Sequence, residues 1–137
     1  MPMAQVPSHH LRPVVDALPV VLIVTPDADL REAAARVLTR EGYRVSTGSH
    51  AGHAWLASLE EDRIDILATE LATEETSGPA LAAKLRRHRP ELAAVYFAKR
   101  GTTECEGVLV RPFTSDDLLA ALALSSLVGA AVPTAAS

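Results

Sequence analysis

Two patterns of hydrophobic and polar positions alternate along this chain. Short aliphatic runs such as Val20–Val24 contain no polar residue, which is typical of strands buried on both faces of a parallel sheet. Longer segments place apolar residues three and four positions apart, as from Leu30 to Leu38, which predicts helices with one buried side. Strands and helices alternate five times. The pattern therefore predicts an α/β fold with a single doubly wound sheet of five parallel strands.

The predicted elements have recognisable boundaries. Asp27, Ser77 and Thr114 precede three of the helices as polar caps. Pro79 lies in the first turn of the third helix, where its missing N–H costs nothing. The predicted strands are Val20–Val24, Arg44–Thr47, Ile64–Thr69, Ala94–Ala98 and Val108–Val110.

The connection between the fourth and fifth strands is unusually short. Only nine residues separate Ala98 from Val108, whereas a parallel crossover normally takes about a dozen or more and contains a helix. The segment Lys99–Gly107 also carries no apolar stripe. We therefore expect the fourth helix of the alternating pattern to be shortened or missing; the alternative is that the fourth or fifth strand is shorter than predicted.

One stretch, Ile64–Gly78, points to a functional site. Its apolar run ends at the carboxylate of Glu70 and continues into a polar loop. Binding sites of open α/β sheets lie outside the carboxyl ends of the strands. Glu70 is therefore the residue around which a site is expected.

Composition narrows the class of protein. The chain has 137 residues, of which 48% are hydrophobic, so it can form one domain with a substantial core. Its formal net charge of −4 gives no general attraction to nucleic acid. The single cysteine, Cys105, cannot form an internal disulfide, which favours a reducing, cytoplasmic location.

The two ends of the chain differ from its centre. Residues 1–19 contain four prolines, no clear period and no signal-peptide pattern, and they are predicted to form a flexible arm. Residues 20–124 form the predicted domain, and residues 125–137 a flexible tail. The apolar stretch Leu118–Val132 is shorter than the roughly 20 residues of a membrane span and is interrupted by serine and glycine, so no membrane insertion is expected.

Other polar groups have ordinary explanations. His50 and His53 are spaced to contact one metal ion, but no third ligand is evident in the sequence. Glu74 and Glu75 could join Glu70 as oxygen ligands, yet acids of a polar loop are usually solvated. A basic set near the end of the third helix either complements the helix dipole or meets an acidic partner. Its members are Lys84, Arg86, Arg87, Arg89, Lys99 and Arg100.

Five landmarks occur in an order shared with one family. They are the VLIV strand followed by PDADLREAAARVL, the GYRVST strand, the DIL strand with its acid, the SGPAL helix start and the VRPFTSDDLL ending. On these landmarks the chain resembles, from about Val20 to Leu122, a response-regulator receiver domain, the CheY-like module of two-component signalling. The resemblance implies the flavodoxin-like strand order 2-1-3-4-5. It also implies Mg²⁺-dependent transfer of a phosphoryl group to an aspartate.

The residues that the resemblance implies for this chemistry are changed. The family holds Mg²⁺ with two acids after the first strand, and these positions are Thr25 and Pro26 here. The phosphoryl acceptor is Glu70 instead of aspartate. The hydroxyl residue and the lysine that hold the phosphoryl oxygens are replaced by Ala98 and Arg111.

These changes indicate a degenerate receiver with no catalytic residue, metal ion or cofactor. Asp27 is the next acid along, but it is better placed to cap the first helix. We hypothesise that a Glu70–Arg111 pair replaces the metal and phosphate and fixes one conformation. A guanidinium suits this role because it meets a carboxylate by two parallel hydrogen bonds.

The first functional hypothesis is a receiver-like signalling module that acts by protein contact without phosphorylation. The expected partners are a histidine kinase, another regulator or a second copy in a homodimer, with no nucleic acid and no membrane. The predicted contact surface combines the fifth strand, the last helix and the surface that is exposed where the fourth helix is missing. Its residues are Val110, Phe113, Leu118, Leu119 and Leu122.

Two alternatives stay open. One is a working phospho-receiver in which Glu70 or Asp27 still takes part, and this protein would have to bind Mg²⁺. The other is a small enzyme or ligand-binding domain on a flavodoxin-like fold, because a fold does not determine a function. The first strand is followed by no Gly-rich phosphate loop, which argues against a nucleotide site.

Overall fold

The computed structural model describes residues 19–136, and it describes side chains as far as residue 125. The strands are β1 (Val20–Val24), β2 (Arg44–Gly48), β3 (Ile66–Glu70), β4 (Ala93–Ala98) and β5 (Val108–Val110). The helices within this range are α1 (Ala28–Arg40), α2 (Ala51–Glu60), α3 (Gly78–Arg86) and α4 (Ser115–Ala136). Apart from its last residue, the predicted arm of residues 1–19 lies outside the described range. The predicted flexibility of residues 125–137 stays a prediction.

The five strands form one parallel sheet in the order β2-β1-β3-β4-β5, which confirms the predicted doubly wound fold. Val24 of β1 pairs with Thr69 of β3, so the chain leaves β1 beside the last residue of β3, Glu70. Parallel strands bring their carboxyl ends to one edge of the sheet. The residues that follow β1, β3 and β5 are therefore gathered at this edge.

Two hydrophobic cores cover the two faces of the sheet. Val21 and Ile23 of β1 pack into the core beneath α1 and α4, whereas Leu22 and Val24 pack into the core beneath α2 and α3. All five residues of β1 are buried, which explains its unbroken aliphatic sequence. Each fully buried aliphatic side chain contributes about 1.5–3 kcal/mol, so β1 anchors both layers.

The predicted helix caps are confirmed. The Asp27 carboxylate accepts a hydrogen bond from the Leu30 N–H at 3.1 Å, and Ser77 caps α3 in the same way. At the start of α4, the Thr114 N–H donates to Asp117 Oδ2 at 2.9 Å and the Asp117 N–H donates to Thr114 Oγ1 at 3.0 Å. This reciprocal pair is a capping box, and it sets where α4 begins.

β4 and β5 are joined without a helix, as the short connection predicts. Gly101 and Gly107 turn this connection with φ angles of 94° and 84°, which residues with a side chain rarely adopt. Of the described helices, α4 alone contacts β5, and it packs on the face that carries Leu109. Val108 and Val110 on the opposite face are half-buried, and none of the described helices covers them. No helix in the described range combines the length and hydropathy needed to cross a membrane.

Gly78, the first residue of α3, lies where the chain passes very close to its neighbours. A Cβ atom here would lie 2.5 Å from the Glu70 carbonyl oxygen and 2.6 Å from Tyr96 Cδ1. Gly78→Ala is therefore expected to lower the free energy of unfolding by about 1–3 kcal/mol, measured by urea denaturation. Gly52→Ala is the control, because a Cβ atom there would meet only the exposed ring of His50. Equal losses of stability in the two variants would contradict the close packing at Gly78.

Candidate functional site

Three side chains converge at the carboxyl edge of the sheet. Thr25 directly follows β1, Glu70 is the last residue of β3, and Arg111 directly follows β5. The backbone fixes their spacing, because Val24 pairs with Thr69 and the Arg111 N–H donates to the Ala98 carbonyl oxygen at 2.9 Å. The geometry of this cluster is therefore set by the sheet itself.

Both carboxylate oxygens of Glu70 are engaged. Arg111 Nη2 donates to Oε2 at 2.6 Å and Arg111 Nη1 donates to Oε1 at 3.2 Å, so the guanidinium grips the carboxylate with two bonds. The Thr25 hydroxyl donates a further hydrogen bond to Oε2 at 2.5 Å. The Glu70 side chain is only 13% exposed, so these donors, more than water, stabilise its charge. The predicted contact between Glu70 and Arg111 is present.

Thr25 is the buried centre of this cluster. Its side chain is fully buried, and its hydroxyl accepts a hydrogen bond from the Asp27 N–H at 3.1 Å while it donates to Glu70. Its backbone carbonyl accepts a bond from Arg31 Nη1 at 2.7 Å. A metal-binding acid is implied at position 25 by the resemblance, and here a neutral hydroxyl that donates to the carboxylate occupies it. The supporting role of Arg31 was missed, because its sequence signal is only that of a polar residue early in a helix.

The remaining predicted site residues contribute less. Asp27 Oδ2 lies 3.9 Å from Arg111 Nη2, and the Asp27 side chain is 44% exposed, so this ion pair is weak. Pro26 lies at the surface of the same edge. Ala98 is buried, and its methyl group offers no hydrogen bond. The structure thus unites Thr25, Asp27, Glu70 and Arg111 by polar contacts and leaves the other two predicted residues outside them.

The Mg²⁺ ion implied by the resemblance does not fit these residues. Mg²⁺ requires several oxygen ligands in near-octahedral geometry. Both oxygens of Glu70 already accept bonds from Arg111 and Thr25, and a guanidinium occupies the position from which a cation would approach. Asp27 uses its carboxylate to cap α1. Within the described part of the chain, no group of three or more His, Cys, Asp or Glu residues could hold a metal ion.

A cleft of about 650 Å³ adjoins the cluster. One wall is the loop after β3, in which the Thr73 hydroxyl donates to the Thr76 carbonyl oxygen at 2.7 Å. Glu74 and Glu75 lie exposed in this turn and line the cleft. Lys99 lines it on the other side. The cleft is thus lined by acidic and basic side chains, with Asp27, Glu70, Glu74 and Glu75 against Lys99 and Arg111.

His50 and His53 start α2. His50 is the cap residue, and its Nδ1 accepts from the Gly52 N–H at 3.1 Å. The Nδ1 atom of His53 accepts from the Ser49 N–H at 3.2 Å, and the two imidazole rings stack with centroids 3.9 Å apart. Both histidines therefore have a structural role at the helix start, in accord with the simpler interpretation.

Part of the basic set is used inside the chain. Arg89 Nη2 donates to the carbonyl oxygens of Ser58 and Glu61, each at 2.7 Å, and so binds the end of α2. The Lys84 ammonium lies 4.7 Å from the centroid of the Trp55 ring, a cation–π contact between α3 and α2. These contacts connect two helices, and the sequence pattern alone did not reveal them.

The predicted contact surface requires a correction. Leu118 and Leu122 are buried in the core between α4 and the sheet, with 3% and 0% exposure, so a partner cannot reach them. Their spacing of four residues is that of a helix side that packs inward. Val110, Phe113 and Leu119 are half-buried and keep surface at this end of the molecule.

The strand order and helix arrangement define a CheY-like receiver fold, and solved structures agree. The chain is similar to a response regulator receiver protein from Sinorhizobium medicae, with a TM-score of 0.70, 21% identity and coverage of 82% of this chain and 97% of that chain. It is also similar to a CheY-like receiver domain protein from Methanospirillum hungatei, with a TM-score of 0.69, 20% identity and coverage of 82% and 96%. A response regulator receiver protein from Pseudomonas putida is also similar, with a TM-score of 0.65, 24% identity and coverage of 77% of this chain and 96% of that chain.

Comparison of the sequence itself gives no match. No family model matches the chain, and no curated protein matches it either. At identities below 25%, the similarity to solved structures establishes the fold alone. What the site does must therefore be argued from its own residues.

Proposed function

We propose that the chain is a receiver-like module of two-component signalling that works without phosphorylation. Its cluster of Glu70, Arg111 and Thr25 takes the place of the metal ion and the phosphoryl group and holds this edge of the sheet in one arrangement. The module acts by contact with a histidine kinase or another regulator.

The engaged carboxylate of Glu70 is the observation that supports this proposal. A phosphoryl group is an anion, so a carboxylate can attack it only with a free oxygen and a nearby cation that offsets the repulsion. Here both oxygens of Glu70 accept hydrogen bonds, and Arg111 would have to withdraw from a 2.6 Å contact. Breaking such a poorly solvated pair is costly because it leaves a charge without a partner.

The open side of β5 is the contact surface that we propose for the partner. Val108 and Val110 present half-buried apolar side chains there, and Tyr96 of β4 pairs with Val108 on the same face. Burial raises the pKa of the Tyr96 phenol, with partial opposition from the Arg86 charge, so the ring stays neutral near pH 7. A neutral surface with adjacent apolar groups suits a protein partner.

The test is a titration followed by amide chemical shifts. We expect no saturable shift at the amides of Thr25, Glu70 or Arg111 when Mg²⁺ and then beryllofluoride, a phosphoryl analogue, are added. A receiver domain that keeps the acid pair and the aspartate should respond in parallel, which shows that the reagents are active. Saturable shifts that extend from the cluster into β5 and α4 would contradict the proposal and favour a working phospho-receiver.

A further inference from the structure

Two adjoining cavities form a groove at the amino edge of the sheet. The first, of about 450 Å³, lies beside Pro19 and the start of β3. The second, of about 690 Å³, lies between the start of β5 and α4. Residues 90–93 line both cavities, so the groove continues from one to the other. Its β5 end is lined mainly by apolar groups, among them Leu92, Ala94, Val108, Ala121 and Leu124.

Leu124 of α4 stands at this end of the groove with 48% of its surface exposed. A single exposed leucine is ordinary on a protein surface, but one that adjoins an apolar groove extends it into a patch of the kind that binds another segment. Of the described helices, α4 alone contacts β5, so no described helix covers the groove between them. The groove therefore has room for a further segment of chain.

The chain enters the described part of the fold in this groove. Pro19 lines the first cavity, and the N–H of the next residue, Val20, donates to Asp65 Oδ2 at 2.9 Å. The Asp65 N–H in turn donates to the Val20 carbonyl oxygen at 2.9 Å. These bonds fix the point of entry, so residues 1–18 are tethered directly beside the groove.

The part of the sequence nearest this tether has an apolar pattern that suits the groove. Leu11, Val14, Val15 and Leu18 recur at spacings of three and four, which is typical of a segment with one apolar side. These eight positions span about 12 Å as a helix and about 26 Å when extended. β1 and β5 are three strand spacings apart, about 14 Å, so the segment is long enough to cross from Pro19 to β5.

The charges of the groove and of this segment are complementary at the far end. Glu91 and Glu106 line the second cavity, both are exposed, and neither takes part in an ion pair among the described residues. Residues 9–12 carry two histidines and Arg12. Because the segment is tethered at Pro19, its basic end reaches the β5 end of the groove, where Glu106 lies.

We propose that residues 11–18 of the same chain occupy this groove, with their apolar side against Leu92 and Leu124. A tethered segment has an effective local concentration in the millimolar range, roughly, so contacts too weak to hold a separate peptide are sufficient. The predicted flexibility of the arm would then apply only to the residues before Leu11. This inference does not depend on the function proposed above, because docking is measured on the chain alone, without Mg²⁺ or beryllofluoride.

The single cysteine provides the test. Cys105 is exposed, and its carbonyl oxygen accepts from the Val108 N–H at 3.1 Å, so it lies at the β5 end of the groove. A nitroxide spin label on Cys105 of the full-length chain should broaden away the amide signals of Leu11, Val14 and Val15. Full signals for these residues in the labelled wild-type chain would overturn the proposal.

Two matched substitutions distinguish docking from mere proximity to the tether. Leu124→Gln removes an apolar contact of the groove and should restore the arm signals, whereas Leu56→Gln changes a similarly exposed leucine of α2 and should leave them broadened. Both side chains lie at the surface, so both variants should stay folded. Equal broadening in the wild-type chain and in both variants would mean that the tether alone brings the segment near Cys105, which would overturn the proposal.

A mixed sample identifies the chain that provides the groove. It combines an isotope-labelled Cys105→Ser chain, which cannot carry the nitroxide, with a spin-labelled chain that is not isotope-labelled. The arm signals should stay sharp in this mixture, because each arm occupies the groove of its own chain. Broadening would place the arm on a second copy and overturn the proposal.

Discussion

Arg111→Ala is expected to lower the free energy of unfolding by about 2–3 kcal/mol, because it leaves the Glu70 carboxylate poorly solvated and without a counter-charge. The loss of stability should be smaller than for a completely buried pair. Glu70 retains 13% exposure, and removal of the Arg111 side chain lets water reach its carboxylate. Urea denaturation of wild-type and variant chains near pH 7 measures it. The variant should still fold, because Arg111 lies at the sheet edge outside both hydrophobic cores.

A double-mutant cycle separates the energy of the ion pair from the other effects of removing the Arg111 side chain. Glu70→Gln removes the charge while its amide oxygen can still accept the bond from Thr25. In that background Arg111→Ala should cost less than about 1 kcal/mol, because no carboxylate remains to be stranded. If Arg111→Ala costs the same in both backgrounds, the pair contributes nothing and the proposed replacement for the phosphoryl group is wrong.

Thr25→Asp is expected to lower the free energy of unfolding by about 2–4 kcal/mol in the presence of EDTA, because a second carboxylate is forced against Glu70 in a buried position. The same change restores an acid where the resemblance implies a metal ligand. Millimolar Mg²⁺ should therefore stabilise the variant measurably and leave the wild-type chain unaffected, because only the variant offers adjacent oxygen ligands. Thermal denaturation with and without Mg²⁺ provides both comparisons.

Thr25→Val is the control for this substitution. It keeps the shape of the side chain and removes the hydroxyl that donates to Glu70, so it should cost about 1–2 kcal/mol with no response to Mg²⁺. A Thr25→Asp chain that is as stable as the wild-type chain in EDTA would contradict the closed geometry around Glu70. A wild-type chain stabilised by Mg²⁺ would contradict the poor fit of its residues to that ion.

The fold could be predicted from sequence because its signals are local and repeated. The unbroken aliphatic run of β1, the caps at Asp27 and Ser77 and the short Lys99–Gly107 connection each reflect one physical requirement, and each was read correctly. Burial was harder to predict on α4. The spacing of Leu118 and Leu122 is compatible with a surface for a partner and with a helix side that packs inward. Only the tertiary packing shows that these two side chains are buried.

The site was predicted in part. Glu70 and Arg111 could be paired because the resemblance places them at the acceptor and lysine positions of one site, and because a guanidinium meets a carboxylate by two parallel hydrogen bonds. The donation from Thr25 and the support from Arg31 could not be foreseen, since both depend on side-chain rotamers at short distances. A threonine followed by a proline looks in sequence like a loss of function, whereas in the structure the hydroxyl completes the set of donors to Glu70.

The engaged carboxylate also bears on how long a signal lasts. A signal stored as an acyl phosphate ends when that bond is hydrolysed, so its duration is a chemical rate. Under the proposed function no bond is made or broken at Glu70, and the active arrangement exists from the moment the chain folds. The signal then begins when the chain is synthesised and ends when it is degraded. The strength of the signal would therefore depend on the amount of the protein in the cell, and its duration on the rates of expression and proteolysis.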